Sequence, residues 1–260
     1  VVTNKTGGGG AVGHSAGATS KPDGHTLLMG TFELSTMHWM GISKLTYADY
    51  EPLLQVNADA AALIVRSDNS WKDVREMIAA IRERPGSLKM SGTATGGAWD
   101  LARAGFQLAA GLNVKDVLWV PTEGSAPSLV ELLGGHIDIV CCSLAEAATQ
   151  IESGQLKALA VMARERVAGF PDVPTVMEAG IDWEAEGWRG LLVHKETPPP
   201  VIDKLRTTLE TITNGEDCQN FMNQNRFGLK VRVGDAFHEF LQAQDAQWQK
   251  VIEAAGYARS

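Results

Sequence analysis

The sequence predicts an α/β fold with parallel strands joined by helical crossovers. Two adjacent stretches predict it. Residues 117–120 form a short apolar run followed by a turn and a helix over about 127–133, which stops at Gly134-Gly135. Residues 137–141 then repeat the pattern, turning through Ser143 into a helix that ends near Gly154. Consecutive strand-turn-helix units of this length imply parallel strands, because parallel neighbours cannot be joined by a hairpin. In such sheets ligands sit at the carboxyl ends of the strands, which puts residues 122–126 and Cys142-Ser143 on the binding side. The turn Gly124-Ser125-Ala126 presents the free N–H groups of a helix start, suited to a carboxylate or another anion.

The chain has 260 residues, enough for about one to two domains with a substantial core. With 31 acidic and 23 basic side chains its formal charge is −8, and it has no cluster of Lys or Arg. That balance argues against nucleic acid as a partner, since phosphate binding needs a basic face. It leaves room for a small anion, which responds to the local field of N–H groups. Cys141, Cys142 and Cys218 make neither a disulfide framework nor a metal-ligand pattern and are expected as small buried side chains. No apolar run is long enough for a membrane span, and no signal peptide is present, so the chain is expected to be either cytosolic or a processed or trimmed product.

In chain order, Val1-Val2-Thr3 suggests a strand, residues 5–10 a glycine-rich turn and 11–20 a small-residue helix. The four glycines from Gly7 invite a phosphate-loop reading. Without a following Gly-Lys-Ser/Thr, a tight structural turn is the stronger expectation. Lys21-Pro-Asp-Gly24 is a turn, since Pro fixes one φ and Gly accepts a positive one, and it launches a buried strand over 25–30. The carboxyl end of that strand carries Thr31, Phe32 and Glu33 to the ligand side. Residues 50–56 and 60–66 read as two strands.

Ser70 and Asp73 suggest a capping box for a helix with Val74, Met77, Ile78 and Ile81 on one face, ended by Pro85-Gly86. A short strand at 88–90 leads into a loop of small and hydroxyl residues over 91–98, a composition that lets backbone approach a ligand closely. A helix begins near Trp99. Residues 157–162 form a further strand, 170–180 an extended segment ending in one helical turn, and 184–194 a return strand with Trp188 at its middle. Thr197-Pro-Pro-Pro200 opens a helix with Val201, Leu205, Leu209 and Ile212 on one face. The last helix runs from Asp235, expected as its N-cap, and carries Phe237, Phe240, Leu241, Trp248, Val251 and Ile252, so both helices are expected to pack outside a sheet.

A hydrolase would need a nucleophile, a base and an orienting acid together. His14, His25, His38, His136, His194 and His238 lie in no nucleophile motif, and Cys142 has no signature linking it to a histidine. No spacing suits a metal either. What remains is a set of Gly, Ser and Thr turns at strand ends with large aromatics nearby, the inventory of a binding cleft without catalysis, metal or cofactor.

The segments Asn4-Lys-Thr-Gly-Gly-Gly, Lys21-Pro-Asp-Gly-His-Thr-Leu-Leu-Met-Gly30, Val120-Pro-Thr-Glu-Gly-Ser-Ala-Pro127, Leu132-Leu-Gly-Gly-His-Ile-Asp138, Leu156-Lys-Ala-Leu-Ala-Val161 and Phe170-Pro-Asp-Val-Pro-Thr-Val-Met-Glu-Ala-Gly180 together resemble one family. It is the extracytoplasmic solute receptor of tripartite tricarboxylate transporters, the Bug receptors. The resemblance covers nearly the whole chain. It implies an α/β periplasmic binding protein of type II-like architecture, two lobes of mostly parallel sheet joined by crossing strands. Lobe 1 would comprise 1–66 plus 185–260 and lobe 2 residues 67–184. The implied function is capture of a small carboxylate in the interlobe cleft by hinge closure, and delivery to membrane subunits of the transporter. The implied protein is exported, periplasmic and monomeric.

Carried over by position, the family's ligand loops fall on Thr31, Phe32 and Glu33, on Ser91, Thr93, Ala94, Thr95, Gly96 and Trp99, on Thr122, Gly124, Ser125 and Ala126, and on Cys142 and Ser143, with Trp188 as an added aromatic wall. In such receptors backbone N–H groups and ordered water hold the carboxylate. Members of the family begin with a strand, a glycine-rich loop and a helix upstream of the segment that matches Val1, so a shortened start is expected. This chain also departs from the family within the site. Thr122-Glu123 stands in place of an aromatic and a basic residue, Trp99-Asp100 in place of an apolar residue and histidine, and Cys142 in place of an acid or amide. With Glu123 and Asp100 disfavouring a plain dicarboxylate, the expected ligand has one carboxylate plus an aromatic, apolar or amine-bearing part, packed against Trp99 or Trp188. A second reading is the effector-binding domain of a transcription regulator, which uses a similar two-lobed architecture.

Overall fold

The computed structural model describes residues 1–259. The chain divides into two compact units, residues 1–58 with 188–260, and residues 59–187. The division falls inside the long strand β2 (Tyr50–Arg66) and near the start of β7 (Glu186–His194), so both strands belong partly to each unit.

Unit 1 carries a sheet in the order β1–β7–β2–β8, with β1 (Leu28–Thr31) antiparallel to β7 and β8 (Leu229–Val233) antiparallel to β2. Leu53, Leu54, Val193 and Ile202 form a buried cluster, flanked by Leu205, Leu209, Val231 and Val233. Two of those flanking leucines come from the long helix α6 (Pro199–Asn214), whose start has Pro in the first turn, where no N–H is missed. The helix α8 (Asp235–Ala254) buries Phe237, Leu241, Trp248, Val251 and Ile252, a stripe at helical spacing. Its N-cap is Gly234 and not Asp235, which occupies the first turn.

Unit 2 holds a mixed sheet in the order β6–β2–β5–β3–β4. The parallel core expected from the sequence is present, with β3 (Leu88–Ser91) parallel to both β4 (Val117–Trp119) and β5 (Ile139–Ser143). The crossover helices are α3 (Ala98–Ala109) between β3 and β4, and α4 (Ser125–Leu133) between β4 and β5. On the other side of β5 the strand β2 runs antiparallel to it, and β6 (Leu156–Val161) in turn runs antiparallel to β2. The sheet is nearly dry, with Leu63, Ile64, Met90, Ile139, Val140, Cys141 and Cys142 all fully buried.

Several expectations are corrected. Val1-Val2-Thr3 is exposed and in no strand. Residues 50–66 form one strand, because the polar break at Asn57 is satisfied in place. Its amide donates to Gly228 O at 3.1 Å, and its Oδ1 accepts from Arg189 at 2.6 Å. The strand at 25–30 is shortened to Leu28–Thr31 and is only partly buried. Helix α2 (Val74–Glu83) is capped by Asp73 alone, whose carboxylate accepts from the N–H groups of Arg75 and Glu76. The sequence reading also missed α7 (Glu216–Gln224) and β8.

Candidate functional site

In unit 2 the carboxyl ends of β3, β4 and β5 converge, and the loops that leave them interlock. Ser91 Oγ, at the end of β3, lies 3.3 Å from Thr122 Oγ1 and 2.9 Å from Ser128 Oγ, while Thr122 Oγ1 and Ser128 Oγ are 2.6 Å apart. Thr122 and Ser128 each donate to Gly124 O at 3.0 Å. This hydroxyl triad fixes the turn that starts α4. Gly124 stands at φ 142°, ψ −175°, a conformation that side chains with a Cβ rarely adopt. Immediately after it, Ser125 and Ala126 occupy the first turn of α4, whose N–H groups have no intrahelical acceptor.

The β3 loop is fastened from below. Thr122 N donates to Thr93 O at 3.2 Å, and Gly96 N donates to the Asp100 carboxylate at 2.8 Å. Asp100 is fully buried and pairs with Arg103, itself 2% exposed, through bonds of 2.8 and 2.6 Å. Arg103 also donates to Gln107 Oε1 and Val114 O and lies over the Trp119 ring, 5.1 Å from its centroid. Asp100 is therefore an internal anchor and adds no free charge at the surface. Gly92 has no room for a Cβ, which would strike Cys141 O. Thr93 Oγ1 is buried without a protein partner, and Ala94 and Thr95 are exposed.

A second chain of bonds links α3, α4 and the turn after β5. Trp99 Nε1 donates to Ser125 Oγ at 3.0 Å, and Ser125 Oγ donates to Glu146 Oε1 at 2.8 Å. Glu146 Oε2 accepts from both the N–H and the hydroxyl of Ser143, each at 2.9 Å. The Cys142 side chain is fully buried, and burial, reinforced by the nearby Glu146 charge, pushes its thiol well above the usual range. Glu123 is exposed on the turn.

The structure thus brings together Ser91, Thr93, Gly96, Trp99, Thr122, Gly124, Ser125 and Ser143, with Ala126 exposed beside them and Cys142 beneath. Sequence reasoning missed Ser128, Arg103 and Glu146. Ser143 and Glu146 do carry the Ser-x-x-Glu spacing of a capping box, and both reciprocal bonds form, Glu146 N donating to Ser143 Oγ at 3.3 Å, but they close the turn that precedes the short helix α5 (Ala148–Glu152), whose own N-cap is Ala147.

Unit 1 treats its expected residues differently. Phe32 is 3% exposed and sits edge-on to Trp248 at 4.8 Å between centroids, and Trp188 is 1% exposed with Phe237 and Phe240 against it. Both are core side chains, because each lies beside the aromatic stripe of α8. Trp188 therefore offers no ring face to a ligand. Thr31 Oγ1 donates to Glu33 Oε2 at 2.5 Å, and both are partly exposed. The glycine run is a structural turn that opens α1 (Ala11–Ala18), with φ of 123°, 57°, 60° and 91° at Gly7, Gly8, Gly9 and Gly10 and with His14 Nδ1 2.8 Å from Gly10 O. Among the described residues no group of three His, Cys, Asp or Glu could hold a metal, and no helix is long and apolar enough to cross a membrane.

This geometry can be set beside known proteins. BugT of Bordetella pertussis is 27% identical over 264 residues, covering 98% of this chain and 79% of its own length. A TctC solute-binding protein from Polaromonas, solved without ligand, is 33% identical with a TM-score of 0.84, over 97% of this chain and 86% of that one. The periplasmic binding protein BugD is 29% identical with a TM-score of 0.84, over 100% and 88%. The model of the tripartite tricarboxylate transporter family receptor, TctC, matches residues 1–257. With the match running through both units, the chain belongs to the tripartite tricarboxylate transporter receptor family and has its periplasmic-binding-protein-like α/β fold, that of a solute-binding receptor.

Proposed function

We propose that this receptor holds one carboxylate of a small organic acid at the start of α4, against the N–H groups of Ser125 and Ala126. The observation that carries the reading is the Gly124 turn, locked by Thr122 and Ser128, which leaves those donors at the carboxyl ends of three strands. The helix dipole adds positive potential there. Thr93, Ala94 and Thr95 form the neighbouring wall, with Ser91, Gly96 and Trp99 buried behind it. The ligand passes to membrane subunits of a tripartite transporter. The protein works in the periplasm, as a monomer, without catalysis or a cofactor. The reading as a regulator's effector domain is set aside, because residues 1–257 match a transport receptor.

A thermal-shift screen of mono-, di- and tricarboxylates tests the binding role. A ligand at a hundred times its Kd stabilises the folded state by about 2.7 kcal/mol, a readily seen shift. The reading expects a rise in Tm with at least one carboxylate and none with its amide or ester. Equal responses to acid and amide would overturn it.

A further inference from the structure

Glu146 carries the one inference that reaches past the capture of a carboxylate. Its side chain takes three hydrogen bonds, from Ser125 Oγ, Ser143 N and Ser143 Oγ, and all three donors are neutral. Among the described residues no Lys, Arg or His forms an ion pair with it. The residue is exposed, so the carboxylate keeps acceptor capacity toward solvent, since its two oxygens offer about four lone-pair sites. A capping box needs only Oε2. Oε1 reaches a different element, the first residue of α4, whose own N–H belongs to the proposed carboxylate subsite.

Two consequences follow from that placement. The Ser143 N–H, which would otherwise be a second anion donor at the end of β5, is already taken by Glu146. An incoming carboxylate is thereby confined to the start of α4, and the group next to it faces a fixed negative charge. A positive helix end and an unneutralised carboxylate, joined through the single residue Ser125, form a dipolar pair. The ligand complementary to such a pair is itself dipolar.

We infer that Glu146 is a specificity-determining residue that selects an aminocarboxylate, a ligand bearing a primary ammonium close to its carboxylate, over the plain acid. This rests on the carboxylate subsite proposed above. The ammonium donates to the one acceptor site of Glu146, on Oε1, that its three hydrogen bonds leave open, while the carboxylate accepts from α4. Trp99 lends no competing donor, because its Nε1–H is engaged by Ser125.

Isothermal titration calorimetry on the full chain tests this with the zwitterionic amino acids, each paired with its des-amino acid, on wild type and on Glu146→Gln. The expected result is at least a tenfold preference for the amino acid in wild type, as a charge-assisted bond supplies. That preference should fall to threefold or less in Glu146→Gln, and Glu146→Asp should restore part of it. A pure capping role for Glu146 would move Tm in Glu146→Gln and leave the preference unchanged, which would overturn the inference. So would equal binding of acid and amino acid by wild type, with the carboxylate site intact. Silence of wild type toward both classes would overturn the carboxylate site as well.

Discussion

The indole N–H of Trp99 donates to the hydroxyl of Ser125 across 3.0 Å, tying the first turn of α3 to the first turn of α4. Both helices begin at the carboxyl ends of neighbouring parallel strands, so this bond sets the spacing of the two helix starts at the proposed carboxylate site. Trp99 is 6% exposed, and its N–H has no water to fall back on.

Ser125→Ala therefore strands that N–H and removes one donor from Glu146. Leaving a buried donor unsatisfied costs about 1–3 kcal/mol. Urea denaturation should show a loss in that range, and ligand affinity should fall with it, as α4 loses its tether.

Gly124→Ala addresses the turn itself. No atom lies near the position of the added Cβ, so the cost comes from the backbone, held at φ 142°. A residue forced into such a region costs about 1–3 kcal/mol. Relaxing that strain turns the Ser125 and Ala126 N–H groups away, and carboxylate affinity measured by calorimetry should drop by more than stability does.

Arg103→Met breaks the buried pair under the β3 loop. Removing one partner of a buried pair leaves an uncompensated charge and costs about 3–5 kcal/mol. Chemical denaturation should register that loss. Asp100 also holds Gly96 N, so hydrogen exchange at Gly96 should accelerate.

Acid sensitivity has a specific source in Glu178. Its carboxylate accepts from Arg166 at 2.8 and 2.6 Å and from Thr175 N at 3.2 Å. The Arg166 bond, followed by the Thr175 N–H, holds its pKa down at about 2, while an unfolded glutamate titrates near about 4.3. With the folded value depressed, the contribution is complete above the unfolded pKa and disappears as pH falls toward the folded one. The Tm gap between wild type and Glu178→Gln should be small, since both partners are exposed, and should close between about pH 4.5 and 2.

Much of this was legible in the sequence, for identifiable reasons. The apolar runs at 117–120 and 137–141, each followed by glycine and a helix pattern, announced parallel strands, and strand polarity alone then placed Thr122, Ser125 and Ser143 at the binding end. Tertiary packing was not legible. Phe32 and Trp188 look the same in sequence whether they line a site or fill a core, and only the aromatic face of α8 decides between the two. Residues 50–56 and 60–66 read as two strands and not as one, because Gly228 and Arg189, which satisfy Asn57 in the span between them, are far away in the chain. The Ser143-x-x-Glu146 spacing was visible as local chemistry, but its reach to Ser125 depends on how β4 and β5 flank β3.

The most direct measurement is native mass spectrometry of the purified protein, followed by denaturation and identification of any small molecule released. The account predicts a small carboxylate, leaving chemically unchanged and rebinding when added back. A released molecule lacking any carboxylate, or a carboxylic acid consumed on incubation with the protein, would contradict it.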